Sequence, residues 1–276
     1  MATKTSNQAK ENRYQQLVAW VFTKHYNHED THVEWQRDEL TTGAAELGIE
    51  LPKNLGDVVY AIRYRIDFPA LMRKTASEGH EWIIRSVGRS RYAFDLIPTQ
   101  VRIRPNAALE VTKIPDATPE IVAASALSDE QALLALVRYN RLIDIFLGVA
   151  SYSLQNHLRT TAKGIGQVEV DEIYVSVDRH GRQFVLPVQA KTGSDEIGIT
   201  QTEQDIAVCA EKWPDMICRP VSAQFVEDGR IALFELSIQD NQVRVRRESH
   251  YRLVPAKEIS TADLHGYKLA ADNGVN

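Results

Sequence analysis

Residues 168–191 read VEVDEIYVSV, then DRHGR, then QFVLPVQAK: two apolar strands of one sheet joined by a polar turn. Residues two apart in a strand share a face, so Gln189 and Lys191 point the same way while Ala190 points into the packing. If the strands pair as a hairpin, Asp171 falls beside that couple. One carboxylate, one amide oxygen and one ammonium then surround a single point, a set that can hold a hard divalent cation and orient a water beside it. A plain ion pair between neighbouring strands is the alternative reading of Asp171 and Lys191. Pro187 donates no ladder hydrogen bond, so a central strand here calls for a bulge at that residue.

The order of these residues resembles the signature of the PD-(D/E)XK nucleases, which include many restriction endonucleases. Asp171 matches the first acid, Gln189 the variable position and Lys191 the lysine. Gln189 departs from the commoner carboxylate by offering a neutral oxygen, as some restriction enzymes of that family do. The resemblance covers roughly residues 129–240. It implies a restriction-endonuclease-like α/β/α sandwich with a central mixed sheet. It also implies Mg²⁺, with Mn²⁺ able to substitute, held by Asp171, Gln189 and the Ala190 carbonyl, while Lys191 orients the attacking water and offsets phosphate charge. Glu169, on the strand face of Asp171, and the adjacent Glu172 are reserve ligands. The family's helix before the metal strand often adds an acid; here that region offers Gln155, Asn156 and His157, with Asp144 the nearest acid in the helix body. Gln155 is then either a ligand of metal or water, or plain helix polarity.

The chain has 276 residues, 43% hydrophobic and 25% charged, enough for two domains of an ordinary globular α/β protein. No apolar run approaches a membrane span, and MATKTSNQAKENR has no apolar signal core, so a cytoplasmic protein with no membrane partner is expected. Cys209 and Cys218 make no ligand pattern and are expected as reduced thiols. The net charge of −5 hides a gradient: residues 52–104 carry 10 Lys and Arg against 5 Asp and Glu, whereas from Asn106 onward 17 basic residues face 24 acidic ones. Local fields govern phosphate attraction, so the basic stretch is where nucleic acid would bind.

Ahead of the central stretch, residues 11–24 carry Leu17, Val18, Val21 and Phe22 at helical spacing. HYNHEDTHVEW follows as a polar loop, and its histidines match no metal-ligand template. A second helix spans Gln36 to Leu47 and stops at Gly48. A third, LGDVVYAIRYR, is capped by Asn54, with Val58, Ala61 and Ile62 inward and Tyr60, Arg63 and Tyr64 outward. EWIIRSV, GRSR and YAFDLI then make a hairpin with a basic tip. Three helices and such a hairpin are the order of a winged helix, whose third helix enters the major groove of duplex DNA. Tyr60, Arg63, Tyr64 and Arg65 are groove candidates, and Arg89 and Arg91 wing candidates; a solvated charged face is the alternative.

This places a winged-helix DNA-recognition domain at residues 1–104, a proline- and alanine-rich linker at 105–128 and a nuclease domain at 129–276. Ser128 and Gln131 form a capping box that opens a long helix from Asp129 to about Arg159. Its middle, LIDIFLGVASYSL, is apolar nearly all round, and it is expected to cross the core or to pack on a second subunit in a homodimer. After Lys191 a helix from Thr200 to Trp213 has Ile206, Ala210 and Trp213 on its inner side and stops at Pro214. CRPVSAQFV, IALFELSI and VRVRR follow as strands. The function these features point to is a restriction-like, Mg²⁺-dependent endonuclease, sequence-specific, with sensitivity to modified bases as a variant of that reading. Two alternatives are a winged-helix DNA-binding regulator with a degenerate nuclease fold, and an assembly protein that uses the apolar helix as an interface.

Overall fold

The computed structural model describes residues 11–100, 103–125, 130–192, 197–226 and 228–272. The chain is a mixed α/β protein in two units, one formed by residues up to Gln100 with Lys163–Gln167, the other by the rest.

In the first unit, α1 (Arg13–His25) opens on a reciprocal capping box. The Asn12 side chain accepts from the Tyr14 and Gln15 N–H groups, and the Gln15 side chain accepts from the Asn12 N–H. Leu17, Val18, Val21 and Phe22 are its buried face, as the spacing predicts. The expected loop after it is not all loop, because His32–Gln36 form a strand, β1, that alternately buries Val33 and Trp35. Next comes α2 (Glu39–Leu47), closed at Gly48 with φ 64, a left-handed cap that glycine adopts without strain. Then α3 (Gly56–Tyr64) buries Val58, Val59 and Ile62, while Asn54 accepts from the Gly56 N–H just ahead of it. A short helix, α4 (Ala70–Thr75), precedes β2 (His80–Gly88) and β3 (Arg91–Pro98). The three strands pair antiparallel in the order β1-β3-β2.

The second unit takes in the stretch read as a linker. That stretch carries β4 (Val111–Pro115) and α5 (Glu120–Ser125). Every residue of β4 is half-buried or exposed, so the strand had no alternation to reveal it. The long helix expected from Asp129 to Arg159 is instead α6 (Glu130–Tyr139), α7 (Leu142–Leu147) and β5 (Ala150–Ala162). Arg141 at φ 50 breaks the first helix and Gly148 at φ 67 ends the second. Ser128, half of the expected capping box, lies outside the described residues. There follow β6 (Gly166–Val177), β7 (Gln183–Lys191), α8 (Ile199–Lys212), β8 (Ile217–Cys218), β9 (Val221–Phe225), β10 (Ile231–Gln239), β11 (Gln242–Val254) and α9 (Thr261–Asp272).

Among the described residues these strands form one mixed sheet, ordered β4-β11-β10-β9-β7-β6-β5, with β8 beside β7. The β6–β7 pair is antiparallel, while β7 and β9 are parallel and joined by α8. On one face Tyr174, Leu186, Val188, Ala190, Val221 and Ala223 pack with the apolar residues of α6 and α7 in a single core. The buried residues of α6 and α7 thus cross the core of the unit, as one of the two expectations has it, while Tyr139, Ile145, Tyr152 and Leu154 of the same stretch are exposed. The intervening residues of β7 and β9 face the opposite side, toward α8. No bulge marks Pro187, for the β6–β7 register runs through Ile173↔Pro187 without a shift. On its other flank β8 pairs with Phe184 and Val185, and β9 begins only at Val188. Pro187 thus sits where the neighbouring strand is interrupted and no donor is called for. No described helix is long and apolar enough to cross a membrane.

Candidate active site

The α8-facing side of β6 and β7 gathers Asp171, Gln189 and Lys191, as the hairpin predicts. Asp171 Oδ2 accepts from the Ala190 N–H at 2.9 Å, which fixes the carboxylate against the β7 backbone. Ala190 is fully buried in the core below, as expected. Lys191 makes no direct hydrogen bond or ion pair among the described residues, yet its charge acts on Asp171 and on a residue that sequence reasoning missed, Asp205.

Asp205 lies on α8 and is 2% exposed. Its two oxygens accept from Gln189 Nε2 at 2.9 and 3.1 Å, while Gln189 Oε1 accepts from Gln201 Nε2 at 2.8 Å. Gln189 is therefore a bridge between two residues of α8 as well as a possible oxygen donor. The inner side of α8 is Thr202, Asp205, Val208 and Cys209; of the residues expected there, Ala210 is exposed and Ile206 and Trp213 are half-buried. Gln201 and Asp205 stand one turn apart, and a polar pair at that spacing beside an apolar stripe was the available signal.

Both carboxyls hold their protons more tightly than usual. Burial raises Asp171, and the nearby Glu169 adds to the rise; the Ala190 N–H, Lys191 and His157 oppose it. Asp205 is pushed well above the ordinary carboxylate range by complete burial, helped by the charge of Asp171 and opposed by the Gln189 amide and Lys191. Two acids that repel each other, one of them fully buried, thus stand close to a single ammonium.

The other expected ligands are placed less closely. Glu169 is on the Asp171 side but is paired with Arg159 at 3.2 Å and lies 3.7 Å from His157. Glu172 faces the opposite side, fully buried, accepting from Arg138 Nε at 2.8 Å and Ser153 Oγ at 2.5 Å, so it is no reserve ligand. Gln155 is on β5, not on a helix, and is exposed. Asp144 is in α7, where Oδ1 accepts from the Ser151 N–H. Among the described residues no group of three or more His, Cys, Asp and Glu is placed to hold a metal.

In the first unit the DNA-contact candidates divide. Tyr60 is half-exposed, its ring tilted at 57° to that of Tyr64 with centroids 4.9 Å apart, and the exposed Arg65 lies over its ring at 5.0 Å. Arg63 does not point outward. Its guanidinium donates to Ile84 O at 2.9 Å and Ser86 Oγ at 3.1 Å and lies over the Tyr92 ring, which ties α3 to the hairpin. Arg89 and Arg91 are both exposed at the hairpin tip, and Arg91 is paired with Glu34 at 2.5 Å. Compared with protein-family models, curated proteins and solved structures, the chain finds no match.

Proposed function

We propose that this chain is an Mg²⁺-dependent DNA endonuclease of the PD-(D/E)XK type, in which a winged-helix unit engages duplex DNA and the second unit hydrolyses a phosphodiester bond. The observation that carries this reading is the convergence of Asp171, Asp205, Gln189 and Lys191 on one sheet face. The donors are hard oxygens and the two carboxyls are short of positive charge, which fits Mg²⁺ or Mn²⁺. Asp171 and Asp205 would hold the cation, with the Gln189 oxygen and the Ala190 carbonyl beside them. When bound, such an ion supplies Lewis-acid polarisation of the phosphate and a more acidic water. Asp205 in this reading provides the second carboxylate that Gln189 lacks, and Gln189 holds it in place. Lys191 brings an uncommitted ammonium to the phosphate and to the attacking water.

The order of elements supports the reading. Helices α6 and α7, the meander β5–β6–β7, the crossover α8 and the parallel strand β9 follow the outline of the resembled nucleases. The succession α1, β1, α2, α3, then the β2–β3 hairpin, with sheet order β1-β3-β2, agrees with a winged helix. In that unit Tyr60, Tyr64, Arg65 and Arg89 remain candidates for DNA contact. A twofold dimer on DNA would supply one site per strand.

One observation favours the second reading, a DNA-binding regulator without chemistry: the Gln189 amide is engaged at both ends, as a structural glutamine would be. Incubating the full chain with methylated and unmethylated plasmid, in Mg²⁺ or in EDTA, separates the two. Cutting that needs Mg²⁺ supports the nuclease; retention of DNA without any cutting supports the regulator.

A further inference from the structure

The polar floor of the site continues from β7 onto β9. In the parallel β7–β9 register Ser222 stands beside Gln189, and Gln224 beside Lys191. On their far side β10 presents Phe234 and Ala232, which have nothing polar to offer. Ser222 is 1% exposed and Gln224 8% exposed, and among the described residues neither Ser222 Oγ nor Gln224 Oε1 has a hydrogen-bond partner. A buried acceptor left unmade costs stability, and folded proteins keep few of them. Such a group is completed by an ordered water, by an ion or by a partner that comes with function. A serine hydroxyl can rotate to another acceptor or donor, but an amide oxygen beside a lysine has one obvious complement. Lys191 carries three N–H donors and no direct partner among the described residues, and its charge is drawn toward Asp171 and Asp205.

We propose that Gln224 is a positioning residue of this site. Its buried amide oxygen receives a hydrogen bond from the Lys191 ammonium once a cation and a DNA phosphate occupy the carboxylates. Without that acceptor the ammonium is free to swing toward Asp171 and Asp205. With it, one N–H is fixed on β9 and the other two are directed at the phosphate and the attacking water. The inference rests on the nuclease reading, and it adds a residue of β9 to a site otherwise built from β6, β7 and α8.

The test uses the full chain with Gln224→Met, close in volume and lacking the oxygen, and with Gln224→Glu, which retains an acceptor. Single-turnover cleavage of a duplex in Mg²⁺ is measured over a range of protein concentration, and thermal denaturation is followed in EDTA. Gln224→Met should slow the cleavage step about ten- to hundredfold, the worth of one charge-assisted hydrogen bond, with half-saturation unchanged. Its Tm should equal or exceed that of the wild type, because an unpartnered buried oxygen has been removed. Gln224→Glu should recover at least about a tenth of the lost rate. Wild-type cleavage by Gln224→Met, alongside a silent Lys191→Ala, overturns the proposal and leaves the nuclease reading standing. A rate loss accompanied by a lower Tm, or unrecovered by Gln224→Glu, assigns Gln224 to the fold and also overturns it. If the wild type itself fails to cut in Mg²⁺, the nuclease reading falls and takes this inference with it.

Discussion

Asp205→Asn separates charge from shape at the residue on which the proposed chemistry depends most. Asparagine keeps the outline and an oxygen able to accept from Gln189 Nε2, and it removes one negative charge. Asp205 is almost fully buried and holds its proton well above the ordinary carboxylate range, first through desolvation and then through the charge of Asp171. An acid whose folded pKa exceeds its unfolded one binds its proton more tightly in the folded state. The metal-free wild type should therefore lose stability as pH rises from the ordinary value of 3.8 through the folded pKa, at about 1.4 kcal/mol per unit of separation. Asp205→Asn lacks that descent and keeps only the smaller one of the same sign from Asp171. Melting curves in EDTA from about pH 4 to about pH 9 should converge at the acid end and diverge toward the alkaline end, with the variant the more stable. Mg²⁺ reverses the ranking. At about a hundred times its Kd the ion stabilises the wild type by about 2.7 kcal/mol, or roughly 5 to 10 °C for a chain of this size. The variant should lose most of that shift and cut at least about a hundredfold more slowly. Equal Mg²⁺ shifts and equal cleavage in the two proteins would show that this carboxylate takes no part.

Asp171→Ala should abolish cleavage while DNA is still retained, and Lys191→Ala should do the same yet preserve the Mg²⁺-induced rise in Tm, since an ammonium is not a ligand; wild-type cutting by both variants refutes the site. Gln189→Glu sets a carboxylate against Asp205 where an N–H now donates, so its Tm should fall in EDTA and recover in Mg²⁺; a Tm unchanged in EDTA contradicts the bridge. Arg63→Ala should cost about 2–4 kcal/mol in denaturant unfolding, through two hydrogen bonds to β2 and the oxygen they leave bare. Arg89→Ala should leave stability within about 0.5 kcal/mol and lower the salt slope of DNA binding by about 0.9; unchanged DNA affinity at every salt concentration removes Arg89 from the interface.

The central hairpin was legible because two apolar runs with a polar turn leave few alternatives, and alternation then put Asp171, Gln189 and Lys191 on one side. Asp205 was hidden because a helix reveals its inner face through apolar residues, and here the part of α8 that meets Gln189 is polar. The segment before the hairpin misled for the opposite reason. LIDIFLGVASYSL is apolar on all sides whether helical or extended, and the decisive residue is Gly148, whose left-handed backbone ends α7 before a strand begins. SYSLQNHL contains little that favours a long helix, and its serines and tyrosine suit an extended strand. In the first unit β1 was hidden among polar neighbours, with Val33 and Trp35 the only buried pair in its alternation. Arg63 illustrates a further limit: its position on α3 could be read, but its hydrogen bonds reach strand residues that only the fold brings near.

The parallel pairing of β4 with β11 sets the order in which the chain can complete itself. Val111 lies against His250 and Pro115 against Val254, so the first strand of the second unit waits for the last before it gains a neighbour. The first unit takes its pairings mostly from residues before Gln100 and can organise early during synthesis. The second must hold β4 open until β11 has emerged, and a contact so distant in sequence slows closure. During that interval β4 has no strand beside it, which makes this early-emerging strand the place where chaperone capture or mispairing between nascent chains would begin.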